Sequence, residues 1–585
     1  MTARTTFADI LRPPLLAGKW PIIAAIVLTG ISGAAISLQN VFPKWLFNDV
    51  LEPVGLDAGE RWRRLLWLLA GFLVVSFIVR MACWHIGYRI FTRARERLVF
   101  HVRAQFFRHV NDLCLRFHGR HPSGELYSYL FGSPLGNIVG FIQQCTMMLP
   151  HTAIAMVATL ALFWSWDWVV ASTLMVTTLA SVAMMELSRR RQRDLWRDFQ
   201  RAEGKVSGQV ADLLRGTRAV KLYAMEPAIA GEFDAGARLI GDKTVNRDIR
   251  SHVEWMKQEG IGYIAFALLV GVCSWRFLGG HIDLGTVAAC LTSYASLQWP
   301  LQVLFQTMNQ LGAASASARR IDLVFRAVSS TPDPLGEALP VPARGELSLS
   351  GVSFAYHRER VLHGLDLRIP YGQKVAVVGP SGAGKSTLVQ LLLRLYDPQE
   401  GVVAVDGVDL RRLPGRELRR RFGVVPQDPF LFRTTLRDNL RVARPEATDA
   451  ELQRACEQAN AWEFIARLPG GLSTPVGEGG TTLSGGQRQR LAIARVLLAD
   501  PAFLIFDEAT SALDTLSERL IQQAIERSLG GRTGIFIAHR LATVQHCDRI
   551  LVMRDGRIEQ DGSYAELAAI PGLFRELVEG QRLAA

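Results

Sequence analysis

The chain has 585 residues, 49% of them apolar, and 66 Lys and Arg against 54 Asp and Glu, for a formal net charge of +12. A mean hydropathy of +0.15 is high for a soluble protein and modest for one made only of membrane spans, and the length allows roughly four domains. The positive balance does not indicate a nucleic-acid partner, because the Arg residues gather between apolar runs, where positive charge marks the inner side of a membrane.

No short apolar stretch followed by a small-residue cleavage site opens the chain, so no cleaved signal peptide is expected. A bilayer crossing needs ~20 predominantly apolar residues. Six stretches meet that need: 21–42, 64–86, 145–165, 168–187, 260–280 and 284–307. Trp62, Trp67, Trp164, Trp166 and Trp168 stand where an interfacial aromatic belt belongs. Arg89, Arg93, Arg95, Arg97, Arg103, Arg108, Arg116 and Arg120 follow the second span. Arg189, Arg190, Arg191, Arg193, Arg197 and Arg201 follow the fourth. Both long loops are therefore read as cytoplasmic, and with six spans both termini are too.

Polar groups at membrane depth point to a solute path. Arg80 lies ~20 Å inward of Trp67, and His151 about as far from Trp164, at the helical rise. Gln298, Gln302, Gln306 and Gln310 form an i+4 stripe on one face, with Pro300 able to kink the helix. The reading is an amphipathic solute, anionic or polar-decorated, held by Arg80, Trp84, Gln298 and Gln302, with His151 nearby. The alternative is that Arg80 snorkels to the interface and the Gln stripe only joins helices.

Residues 329–344 form a linker whose four prolines forbid a continuous helix. From 345 to 585, short β-like runs alternate with helical ones, as in parallel α/β units. Seven scattered cysteines, with no C-x-x-C pair and an odd total, support neither a disulfide framework nor a zinc site.

Gly379-Pro380-Ser381-Gly382-Ala383-Gly384-Lys385-Ser386-Thr387 fits G-x-x-x-x-G-K-[ST]. A strand-like run, Lys374–Val378, precedes it and a helical one, 388–395, follows. Backbone N–H groups then converge on phosphate oxygens at a helix start, Lys385 adds a charge, and the Ser386 hydroxyl can ligate Mg²⁺. A second apolar strand, Phe503–Asp507, ends in a carboxylate suited to Mg²⁺ and is followed at once by Glu508. Leu483-Ser484-Gly485-Gly486-Gln487 lies between the two.

These motifs together resemble the ATP-binding cassette (ABC) superfamily. The whole chain resembles an exporter-type (type IV) half-transporter: an all-α six-span membrane domain (1–328) followed by an α/β P-loop ATPase (345–585). The resemblance implies a role for each motif. Glu508 would polarise the attacking water, His539 would contact the γ-phosphate, and Gln427 would link Mg²⁺ and nucleotide to the membrane domain. Tyr356 would stack on adenine, although an aromatic there also suits a core. Ser484, Gly485, Gly486 and Gln487 would cap the nucleotide of a second cassette. One phosphate loop and one signature per chain thus imply two chains, a homodimer because Lys385, Gln427, Ser484, Glu508 and His539 are all present, or else a heterodimer. Segments 117–131 and 215–223 resemble the coupling helices, and Gly132-Ser133-Pro134 stands where the family often has an acidic residue after a helical stretch. Gly479 replaces the family's usual Arg beside the signature. The implied activity is ATP hydrolysis coupled to solute export. A siderophore-type importer of the same fold and a non-transporting ABC regulator are alternatives. Arg far exceeding Lys suggests a GC-rich bacterium and its inner membrane.

Overall fold

A computed structural model describes residues 7–53, 55–334, 339–342, 344–477, 480, 483–508, 515–538 and 544–584. The chain divides into two units, Met1–Asn111 with Ser123–Ala327, and Asp112–Pro122 with Val328–Ala585.

The first unit is built from helices α1 (Phe7–Ala17), α2 (Lys19–Leu51) and α3 (Ala58–Asp112) and, beyond the short α4 (Leu115–Arg120) of the second unit, α5 (Ser123–Phe131), α6 (133–166), α7 (Trp168–Arg215), α8 (Thr217–Leu222), α9 (Glu226–Leu278) and α10 (Leu284–Phe325). Five stretches among the described residues are long and apolar enough to cross a bilayer: Lys19–Leu51, Ala58–Asp112, Ser123–Trp166, Trp168–Ser188 and Glu226–Leu278. The sixth expected span falls in α10, which has 42 residues. Its apolar run is diluted by Tyr294, Gln298, Pro300 and Gln302, so composition alone does not qualify it.

Two glycines let α2 and α6 approach closely. A Cβ on Gly33 would lie 2.1 Å from the His151 carbonyl oxygen, and one on Gly30 would lie 2.6 Å from Ile154 Cδ1. Small residues take this role in membrane helices because no hydrophobic drive pulls the helices together. Asn40 then donates to Thr159 Oγ1 (3.3 Å) and Ser296 Oγ (3.0 Å), joining α2, α6 and α10. Beyond α6, Asp167 accepts from the Val169 and Val170 N–H groups at the start of α7 and from Arg276 of α9 at 2.6 Å. Three stretches, Leu46–Leu51, Val74–Arg80 and Gln144–Met148, widen to π geometry.

The first expected coupling segment, 117–131, is not one piece. α4 goes with the second unit and α5 with the first. At Gly132 the helix stops in an extended conformation, a path where a side chain would meet the Ser128 carbonyl oxygen at 2.5 Å, and Pro134 sits in the opening turn of α6. The unusual Gly-Ser-Pro is thus a break followed by a helix start. The second expected coupling segment, 215–223, contains α8, with Leu222 and Tyr223 exposed at its end.

In the second unit, strands β1 (Leu347–Ala355), β2 (Arg360–Ile369), β3 (Lys374–Val378), β4 (Glu400–Val405), β5 (Val408–Asp409), β6 (Phe422–Val425), β7 (Phe503–Asp507), β8 (Thr533–Ile537), β9 (Arg549–Arg554) and β10 (Arg557–Gly562) form two sheets. The six-stranded sheet runs β10-β9-β3-β8-β7-β6 and is parallel apart from the β9–β10 hairpin. The expected parallel α/β pattern holds there. It fails for the second sheet, β2-β1-β4-β5, whose pairs are all antiparallel. Connections as short as the one from β1 to β2 permit only antiparallel pairing. The linker is strapped to this unit: Arg394 donates to the Pro332 carbonyl at 2.6 Å, and Asp333 accepts from the Gly415 N–H at 2.8 Å. α4 belongs to it as well, since Ser330 donates through N and Oγ to Cys114 Sγ at 3.3 and 3.2 Å.

Candidate functional site

The six-stranded sheet presents its functional loops at the carboxyl ends of parallel strands, where open α/β sheets bind ligands. β3 ends at Val378 and the glycine-rich loop begins. Gly379 has φ 150° and a Cβ there would strike the Met553 carbonyl oxygen at 2.1 Å. Gly384, at φ 100°, caps α11 (Lys385–Leu392), and a Cβ on it would lie 2.7 Å from Leu362 Cδ2. Only glycine fits this path, which aims backbone N–H groups inward at a helix start.

Lys385 is buried, and its ammonium donates to the Gly379 and Pro380 carbonyls at 2.8 and 2.9 Å. Burial pushes its pKa down, and the Glu508 and Asp507 carboxylates oppose that shift. Its charge is therefore poised for an anion: phosphate oxygens can replace the two carbonyls. Ser381, Gly382 and Ser386 stay exposed around it. Among the described residues no cluster of three His, Cys, Asp or Glu could hold a metal. The available donors, the Ser386 hydroxyl and the Asp507 carboxylate, suit Mg²⁺, which takes most of its ligands from phosphate and water.

Glu508 follows Asp507 at the end of β7 and takes φ 46°, an uncommon conformation for a residue with a side chain. Its N–H donates to the Ile537 carbonyl of β8 at 3.0 Å. Gln427 Nε2 donates to Glu508 Oε2 at 2.7 Å, so these two expected site residues already touch. Tyr356 OH donates to Gln390 Oε1 at 2.6 Å and lies 3.1 Å from Thr387 Oγ1. Its ring meets Phe354 and Tyr396 edge-on, at 4.9 and 5.3 Å. Tyr356 is therefore anchored to the helix that follows the phosphate loop. Gln390, one turn beyond Ser386, was not anticipated. Nothing local in the sequence signals it, because its partner Tyr356 lies 34 residues earlier.

Ser484 is the N-cap of α12 (Gly485–Ala499). Gln487 Oε1 accepts from the Ser484 N–H at 2.9 Å, and Ser484 Oγ accepts from the Gln487 N–H at 3.3 Å. This reciprocal cap occupies the Gln487 side chain and leaves the Ser484 side of the helix start exposed. His539 and the 509–514 segment lie outside the described residues, as do Glu478 and Gly479.

Two family models match the chain, the ABC transporter transmembrane region over residues 22–301 and the ABC transporter over 362–511. The ATP-dependent lipid A-core flippase of Desulfotalea psychrophila is 30% identical over 565 residues, 96% of each chain. That of Chromobacterium violaceum is 36% identical over 486 residues, 82% of each chain. The chain belongs to the ABC transporter family. A solved bacterial Atm1-family ABC exporter with ATP bound superimposes with a TM-score of 0.83, at 28% identity and over 98% of both chains. This ABC transporter chain thus fuses a membrane domain to a nucleotide-binding ATPase, the build of ATP-driven export.

In the transporter's membrane unit, the structure brings together three of the five expected path residues. Arg80 donates to Gln39 Oε1 at 3.3 Å, and its carbonyl accepts from Ser32 Oγ at 3.0 Å. The Trp84 and His151 rings meet edge-on at 4.9 Å. His151 Nδ1 lies 3.0 Å from the Thr29 carbonyl and the residue is buried, so it is a satisfied helix-packing group. Gln298 sits beside Tyr294, and Gln302 is exposed on α10. Among the described residues no hydrogen bond joins either to the Arg80 cluster. Gln39 was missed because an amide in an apolar run reads as a helix-joining group until its partner is known.

Proposed function

We propose that two copies of this chain form an ATP-driven exporter of an amphipathic solute carrying anionic or polar groups. The observation that carries the dimer is the exposed, capped start of α12 in a chain with one phosphate loop. A signature motif of this kind serves a nucleotide only when a second cassette presents one. In each site Lys385 and the 379–387 loop hold the phosphates, Tyr356 takes the adenine side, and Glu508 accepts a proton from the attacking water, with Gln427 orienting the carboxylate. His539 supplies a further γ-phosphate contact. Mg²⁺, held through Ser386 and Asp507 with Gln427 beside it, would neutralise developing phosphate charge.

The Arg-rich loops support a cytoplasmic ATPase and cytoplasmic termini, with α10 as the sixth span in a bacterial inner membrane. Likeness to an exporter supports outward transport over siderophore import. The flippase relatives, named for lipid A-core, support an amphiphile. Arg80, Trp84, Gln298 and Gln302 are the proposed solute contacts.

The composite site is tested by mixing Lys385→Ala with Ser484→Arg chains. In a mixed dimer both lesions fall in one site and the other is whole. Purified mixed dimers should hydrolyse ATP where each mutant homodimer is nearly inactive. Mixed dimers as dead as the parents would rule out independent shared sites.

A further inference from the structure

Gln489 lies in α12, five residues past the Ser484 cap, and is only 4% exposed. Its Nε2 donates to the Pro426 carbonyl at 3.1 Å and to the Gln427 carbonyl at 2.7 Å. Two carbonyl acceptors fix the amide orientation, since only the nitrogen can donate. The Oε1 on its other side is buried, and among the described residues nothing hydrogen-bonds to it. An unsatisfied buried oxygen costs stability that an apolar side chain of similar size would avoid. A fold that keeps such an amide is using its donor side.

That donor side leads to the chemistry. The Gln427 backbone is held by Gln489, and the Gln427 side chain holds Glu508 at 2.7 Å. Glu508 in turn is pinned at φ 46° by its N–H bond to Ile537. Three residues thus connect the signature helix to the carboxylate of the same cassette. No element intervenes.

We propose that Gln489 is a positioning residue that makes displacement of the signature helix move the Gln427–Glu508 pair. The start of α12 serves the partner's nucleotide, whereas Glu508 serves the nucleotide of its own phosphate loop. Gln489 would then carry the state of one composite site to the other. This rests on the roles proposed above for Ser484, Gln427 and Glu508.

The experiment uses the full-length dimer and a double-mutant cycle. Gln489→Leu removes both donor bonds at nearly constant volume and should lower kcat roughly tenfold. Binding of the fluorescent analogue TNP-ATP should stay within about twofold. Because Gln489 acts through Gln427, the double variant Gln489→Leu/Gln427→Ala should be no slower than Gln427→Ala alone. Fold-losses that multiply would overturn the relay, as would a Gln489→Leu protein with a lower unfolding temperature and an unchanged kcat. Where Gln489→Leu does not fold, Gln489→Asn, whose shorter amide cannot reach both carbonyls, enters the same cycle with the same criteria. Glu508→Gln separates the two ideas. Near-normal turnover in that variant removes the proposed base and the end-point of the relay with it. A dead Glu508→Gln beside a multiplicative cycle removes the relay alone.

Discussion

Glu508 shows how a single residue's backbone and side chain are set by different neighbours. β8 fixes its N–H through Ile537, and the Gln427 amide fixes its carboxylate. Replacing the carboxylate by an amide keeps the shape and a hydrogen bond to Gln427 but removes the proton acceptor. Glu508→Gln should therefore cut hydrolysis by ~10²–10⁴ while TNP-ATP still binds. Near-normal turnover would sink the assignment. At this scale the sequence was most legible. The glycines at 379 and 384, Lys385, Asp507 and Glu508 are set by local spacing, and the strand–loop–helix context follows from a few neighbouring residues. Gln390 and Gln489 were not legible, because their meaning depends on Tyr356 and Gln427, each far away along the chain.

Among elements, the contact between α2 and α6 is the one most sensitive to a single methyl group. A Cβ on Gly33 meets backbone, the His151 carbonyl at 2.1 Å, which cannot swing aside as a side chain end can. Gly33→Ala should destabilise the membrane unit by ~1–3 kcal/mol, in the range of overpacked cores, read as a lower unfolding midpoint in detergent. Gly271→Ala on α9 is the control, since a Cβ there meets nothing within 4 Å in the chain. Equal midpoints for the two variants would show that α2 and α6 do not pack this tightly. Helix existence was readable from apolar runs; this close approach was not, because Gly30 and Gly33 in an apolar stretch look the same whether they face lipid or a partner helix. The antiparallel β2-β1-β4-β5 sheet escaped for a related reason. Alternating strand and helix runs give the order of elements, and the pairing of β1 with β4 across the phosphate loop is a tertiary fact.

For the whole molecule, the question is which solute the membrane domain reads and how that reaches the ATPase. Arg80 ends a π-widened stretch of α3, a geometry that often marks functional positions in helices. Its one charged head is only partly engaged, by Gln39 at 3.3 Å. On the proposed solute path this cation would attract an anionic headgroup. His151 is different, since Thr29 already satisfies it, and it is better seen as the support behind Trp84. The exposed Gln302 adds a neutral donor and acceptor on α10. ATPase activity of the dimer in nanodiscs should therefore be stimulated more by phosphatidic acid, an anionic amphiphile, than by zwitterionic phosphatidylcholine. Arg80→Ala should raise the half-stimulating concentration about tenfold, the worth of a hydrogen bond to a charged group, and Arg80→Lys should recover part of it. Gln302→Ala should cause a smaller rise, as expected of a neutral contact. If phosphatidic acid stimulates the parent dimer and both alanine variants respond identically to it, the solute path lies on other faces of the membrane helices.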